Sequence, residues 1–160
     1  MNSIRNAEAR DIPSVLRLLE QVNMVHHNGR PDLFKGPATK YAAAQLTEMF
    51  RNPKTPVFVC VDETDTVRGY VMGILKQETN DNILTDIRTL YIDDLCVDEA
   101  VRGEGIGQAL YRYAVAFARK SGCYNVTLNV WTLNPAAMRF YEKCGMTPQK
   151  IGMEYILPPA

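Results

Sequence analysis

The chain has 160 residues, 46% of them hydrophobic, and 18 Lys plus Arg balance 18 Asp plus Glu. It is long enough for a single domain over residues 1–160 that buries roughly 68–70% of the surface its unfolded chain exposes. Zero net charge gives no overall field to gather nucleic acid or an anionic membrane, so neither is an expected partner. No apolar run reaches membrane-spanning length, and Met1-Asn2-Ser3-Ile4-Arg5 turns polar too early for a signal peptide, so a cytoplasmic location is expected.

Ile4 and Arg5 predict a short opening strand. Asp11 then caps a helix with Pro13 in its first turn, whose Ile12, Val15, Leu16, Leu19 and Val22 share one face. From His26 to Pro37 the glycines and prolines predict a structured loop suited to substrate selection, with Asp32 and Phe34 as candidate acceptor contacts. Thr39 precedes a second helix carrying the stripe Ala42, Ala43, Leu46, Met49 and Phe50, ended by Asn52-Pro53. Strands at Val57–Val61, Val67–Leu75 and Leu90–Val97, separated by polar turns, predict an antiparallel meander.

The third of these strands feeds Arg102-Gly103-Glu104-Gly105-Ile106-Gly107, a glycine-rich turn opening a helix. Backbone N–H groups at a helix start lack internal partners and face the positive end of the macrodipole, so the turn is an anion site. Gly107 is followed by Gln108-Ala109-Leu110, which removes the Lys-Ser/Thr of a Walker loop, and no third glycine completes a dinucleotide fingerprint. Ile106, Leu110, Tyr113, Ala114 and Phe117 then repeat at helical spacing to Ser121-Gly122, and Asn125–Val130 follows as a strand. Strand, helix and strand make a crossover that sets two strands parallel. Asn134-Pro135 opens a further helix ending at Cys144-Gly145, and Met153–Leu157 is expected as the last strand.

Arg102-x-x-Gly105-x-Gly107, followed at the right distance by Asn134-Pro135-Ala136-Ala137 and Phe140-Tyr141-Glu142-Lys143-Cys144-Gly145-Met146, resembles the GCN5-related N-acetyltransferases, with Met146 replacing the usual Phe. The resemblance spans about Ile4 to Leu157. It implies an α/β acyl-coenzyme A acyltransferase (GNAT) fold: a mixed sheet of about six or seven strands, about four helices, and two parallel strands splayed near Leu95. It also implies acetyl-coenzyme A as co-substrate. The pantetheine arm would pair with backbone groups of Leu95 and Val97, adding itself as a strand, with Cys96 between them. Pyrophosphate oxygens would take N–H groups of Arg102, Gly103, Gly105, Ile106 and Gly107, and Asn134 and Ala137 would flank the cofactor. Such enzymes are often homodimers, which makes a second copy one partner the resemblance implies.

Direct transfer of acetyl to a primary amine needs a neutral nucleophile, oxyanion stabilisation and a proton for the departing thiolate. Tyr141 matches the family position that protonates the sulfur; its plainer role is a core aromatic. An alkylammonium of pKa about 10.4 costs roughly 4–5 kcal/mol to deprotonate at pH 7, so a base matters. Asp93 and Asp94 are the candidates, one of them per strand face unless a bulge intervenes, acting through water or by positioning the amine. An acetyl-cysteine route through Cys96 lacks an adjacent base, because the only histidines, His26 and His27, lie in a remote loop. Cys60, Cys96, Cys123 and Cys144 contain no Cys-x-x-Cys, so reduced thiols and no metal site are expected. A catalytically silent acyl-coenzyme A binding module is the alternative, disfavoured by Tyr141.

Overall fold

Val57-Phe58-Val59-Cys60-Val61 is apolar at every position because both of its faces are covered. In the computed structural model, which describes all 160 residues, this segment is β2. With β1 (Ser3–Asn6), β3 (Val67–Gln77) and β4 (Arg88–Val97) it forms the antiparallel meander, and β5 (Asn125–Thr127) joins β4 in parallel. The sheet has five strands in the order β1-β2-β3-β4-β5. The helices are α1 (Ile12–Gly29), α2 (Ala43–Arg51), α3 (Ile106–Lys120), which makes the crossover a parallel pair requires, and α4 (Pro135–Lys143).

Alternation along the strands divides the interior into two cores. Val57, Val59 and Val61 pack with Tyr70, Met72 and Cys96 beneath Val15, Leu18, Leu19 and Leu46 of α1 and α2. Phe58 and Cys60 face the other way, with Val71, Leu90 and Ile92 beneath Ile106, Leu110, Ala114 and Ala118 of α3. The sheet is therefore covered on both sides, α1 and α2 against α3.

Several sequence expectations need correction. Asp11 stands at the start of α1 without capping it through its side chain. Its buried carboxylate instead takes Arg5 Nη1 and Nη2 at 2.8 and 3.0 Å and the Glu8 N–H at 2.8 Å. The expected loop at His26 starts later, because α1 continues to Gly29 and places both histidines in its last turn. Gly29 is needed there for close approach: a Cβ would lie 2.9 Å from Leu133 Cβ. Leu18 is buried on α1 whereas Leu16 is only partly so.

The last expected strand, Met153–Leu157, forms no regular element and pairs with no strand. A strand needs a neighbour for its backbone groups, and none of the turn, loop and cap hydrogen bonds reaches residues 147–160. The sheet accordingly has five strands and not six or seven. No helix is long and apolar enough to cross a membrane.

Candidate active site

The sheet parts at one place. β4 and β5 pair only at Thr89↔Asn125, Leu90↔Val126 and Tyr91↔Thr127. Beyond Tyr91, β4 runs to Val97 with β3 on one side and no strand on the other. The separation begins before Leu95, the expected point, so Asp93 and Asp94 lie within the opening and not ahead of it. The free sides of Leu95 and Val97 are half-buried, while the Cys96 side chain turns into the α1 core and donates weakly to the Leu18 carbonyl at 3.6 Å. Burial pushes the Cys96 thiol up to about 12, which removes the thiolate an acetyl-cysteine route would need.

At its far end the opening meets the glycine turn. Gly103 and Gly105 have φ of 87° and 81°, a left-handed conformation that excludes most side chains, and a Cβ on either would meet nothing within 4 Å. Val101 N–H bonds Asp98 and Ala109 N–H bonds Gly105, but none of the N–H groups of Arg102 to Gln108 between them has a backbone or side-chain acceptor. These donors converge on the start of α3, so the turn fits a pyrophosphate. Asp98 holds it in place: its buried carboxylate takes the Ala100 N–H at 3.1 Å and Arg17 at 3.0 Å. Gly107 has a different reason for being glycine, since a Cβ would press to 3.2 Å on the Phe140 ring of α4. On the facing helix, Asn134 Oδ1 caps α4 through the Ala137 N–H at 3.2 Å, which leaves the Asn134 Nδ2 donor free.

A bulge brings the carboxylates together. Met72 pairs with Asp94 and Gly73 with Ile92, so Asp93 is the extra residue and strict alternation is broken there. Asp94 Oδ2 accepts from the Tyr70 hydroxyl at 2.8 Å. Burial raises the Asp94 carboxyl above the ordinary aspartate range, and the charge of Asp93 adds to this against the pull of Tyr70 and Lys40. Tyr141 of α4 is half-buried. Burial first, then the charge of Asp94, keeps its phenol well above the usual value, so Tyr141 retains its proton.

Asp93 is already engaged. Lys40 Nζ lies 3.0 Å from its carboxylate and 3.2 Å from its carbonyl, and the Tyr41 hydroxyl donates to the other carboxylate oxygen. The segment between α1 and α2 does therefore cover the aspartates, but through Lys40 and Tyr41. Phe34 stacks between His26 and Trp131, with ring centroids 4.9 and 5.1 Å away, and its carbonyl lies 2.7 Å from His27 Nδ1. His26 is kept below its ordinary value by burial and then by the charge of Lys40. Asp32 is apart from this group: exposed, it is forked by Arg30, which also holds Glu154. Sequence reasoning missed Lys40, Tyr41, Tyr70 and Trp131. Tyr70 stands in an ordinary strand run and Lys40-Tyr41 in an unremarkable connector, so neither carried a local signal.

The acetyltransferase (GNAT) family model matches residues 23–146. This chain belongs to the GNAT family. Its fold is shared with a tetramutant of the BH1408 protein from Bacillus halodurans, 32% identical with a TM-score of 0.92 over 97% of this chain and 99% of that one. A thialysine N-epsilon-acetyltransferase of Bos taurus is 26% identical over 152 residues, 89% of this GNAT chain and 82% of that protein. Glucosamine 6-phosphate N-acetyltransferase 1 of Oryza sativa subsp. japonica is 38% identical over 66 residues, 41% of this chain. The match spans about two-fifths of the length of the rice enzyme and of similar short-matching relatives.

Proposed function

We propose that the protein transfers an acetyl group from acetyl-coenzyme A directly to a primary amine within a ternary complex. The observation that carries this is the continuity of the opening: β4 without β5 from Ile92 to Val97 runs straight into the unpartnered N–H groups of residues 102–108. Bound there, the co-substrate supplies an acetyl group activated as a thioester. Leu95 and Val97 would hold its pantetheine amides, and Arg102, Gly103, Gly105, Ile106 and Gly107 its pyrophosphate. Asn134 Nδ2 would hold the neighbouring chain, with Ala137 packed beside it.

On the acceptor side, Asp94 is the base, acting directly or through one water, because its raised affinity for a proton brings it nearer an ammonium than an ordinary aspartate. Asp93 holds the Lys40–Tyr41 segment, and a cationic acceptor reaches that carboxylate by displacing Lys40. Phe34, Trp131 and His26 form the apolar wall of the acceptor mouth, whereas Asp32 is held by Arg30 and takes no part in it. Tyr141 donates a hydrogen bond to the departing sulfur. Full proton transfer from so weak an acid is uphill, so the proton that finally neutralises the thiolate comes from the acylated nitrogen through Asp94. The free thiols fit a reducing, cytoplasmic setting.

Acetyl-coenzyme A consumption with polyamines, aminoglycosides, glucosamine 6-phosphate, lysine and peptide N-termini tests the proposal. Release of free thiol stoichiometric with an acetylated amine supports it. Saturable acetyl-coenzyme A binding without turnover on any amine class would make the protein a silent binding module instead.

A further inference from the structure

Lys40 is an amine of the chain itself set at the acceptor end of the opening. Its Nζ lies 3.0 Å from the Asp93 carboxylate and 3.2 Å from the Asp93 carbonyl, and of all the lysines only this one forms an ion pair. Tyr41 occupies the other oxygen of the same carboxylate. Residues 37–41 are neither helix nor strand, and no turn or loop backbone hydrogen bond reaches them, so Lys40 and Tyr41 supply the polar ties of this stretch to β4. The Lys40 side chain is 48% exposed, so its Nζ can swing without unpacking a core.

The direction of the opening brings that amine toward the reacting carbon, a step that rests on the proposed function above. On that reading the turn at residues 102–107 takes the pyrophosphate, so the pantetheine arm runs back along β4 past Val97 and Leu95. Its thioester end then points toward Asp93 and Asp94. Asp93 and Leu95 are two residues apart, ~7 Å of strand. Lysine carries its ammonium on a long flexible stem. An Nζ that already touches Asp93 therefore covers such a gap by rotation of its own side chain, once the half-exposed and weakly held pair opens.

We infer that Lys40 is a self-acetylation site: with acetyl-coenzyme A bound and no acceptor present, the protein acetylates its own Lys40 and so clears Asp93 for a cationic acceptor. The Lys40 ammonium gives one proton to Asp94, directly or through one water. The freed Nζ lone pair forms a bond to the thioester carbonyl carbon, and the bond from that carbon to sulfur breaks with its electron pair leaving on sulfur. A second proton lost by Nζ ends on the thiolate, and the first passes from Asp94 to solvent. The products are an uncharged acetyl-lysine, a free thiol and one released proton. An acetylated Nζ carries no charge, so the ion pair with Asp93 is lost. Tyr41 keeps one oxygen of that carboxylate, and the other opens to the ammonium of an acceptor.

Mass spectrometry of the full chain and its peptides, after incubation with acetyl-coenzyme A and no amine, tests this. One acetyl group per chain at Lys40 is expected, appearing ~100-fold faster than at the exposed Lys54 and Lys150, which report uncatalysed acetylation. The rate constant should not change with protein concentration, because amine and site belong to one chain. Protein acetylated in advance should show the same KM decrease of about 2- to 5-fold for multiply charged amines as Lys40→Met. Lys40→Arg keeps a cation at that position and takes no acetyl group, so the same pretreatment should leave its KM unchanged. Turnover on an external amine with Lys40 unmodified, or modified no faster than Lys54 and Lys150, overturns the inference and leaves the proposed function standing. Acetyl-coenzyme A binding with neither turnover nor Lys40 modification overturns both. A rate constant that rises in proportion to protein concentration would mean transfer between molecules and equally overturns the inference. The wild-type labelling pattern alone decides the matter if a variant fails to fold.

Discussion

Tyr141 keeps its proton at every working pH because burial and the neighbouring Asp94 both oppose phenolate formation. A group so poised contributes by hydrogen bonding to developing negative charge. Tyr141→Phe is therefore expected to lower kcat by about 10- to 100-fold, at the lower end of general-acid effects, while leaving acetyl-coenzyme A affinity within twofold. Steady-state kinetics beside calorimetry separate the outcomes: a change in Kd alone would make Tyr141 a binding residue, and a full rate would make it packing. Asp94 carries the opposite expectation for pH. Its folded-state affinity for protons is raised, so the acidic limb of kcat/KM should lie above the ordinary aspartate value of about 3.9. The Tyr70 hydroxyl stabilises the charged carboxylate, so Tyr70→Phe should move that limb to still higher pH. A limb unmoved by Tyr70→Phe would show that another group is the titrating base.

At the scale of elements, the glycine turn and the segment before α2 set the two ends of the site. Gly105 starts α3 with φ of 81°, open to solvent on the side a Cβ would occupy. Gly105→Val would strain the turn by roughly 1–2 kcal/mol and place a side chain where phosphate oxygens approach. The expected result is at least a 10-fold loss of acetyl-coenzyme A affinity with an unchanged far-ultraviolet dichroism spectrum; undiminished binding by calorimetry would refute the cradle. At the other end, Lys40 is half-exposed and occupies a carboxylate that a cationic acceptor also seeks. Because an exposed pair contributes little, Lys40→Met should lower KM for multiply charged amines by only about 2- to 5-fold. A rise in KM would mean that Lys40 helps hold the acceptor.

Across the whole molecule, charge is used to lock chain ends to the sheet. Arg5 of β1 grips Asp11, whose side chain is only 4% exposed. Burial alone would raise that carboxyl, but hydrogen bonds from Arg5 and the Glu8 N–H outweigh it and hold it below the usual range. Asp98, under the glycine turn, balances burial against Ala100 and Arg17 with the same net direction. Both groups are depressed in the folded state, so their stabilisation is present above about pH 4 and is lost as pH falls through their lowered folded values. Arg5→Ala should destabilise by about 1–3 kcal/mol, less than a fully buried pair because Arg5 is 23% exposed, and lower Tm by roughly 3–10 °C. It should also flatten the fall of Tm with acid; an unchanged Tm in the variant would assign the pair no role in stability.

What the sequence determined by itself was whatever rests on local geometry and short spacing. The meander, the crossover from β4 through α3 to β5, the glycine turn and the Asn134 cap each follow from alternation, helical period or backbone freedom within a few residues. Tertiary structure alone decided what depends on contacts across the chain. It showed that a bulge at Asp93 defeats alternation, that Lys40 and Tyr41 bond the Asp93 carboxylate, and that Tyr70 secures Asp94. It also left the C-terminal strand pattern without a partner, since side-chain alternation specifies a strand's faces but not the neighbour that its backbone must find.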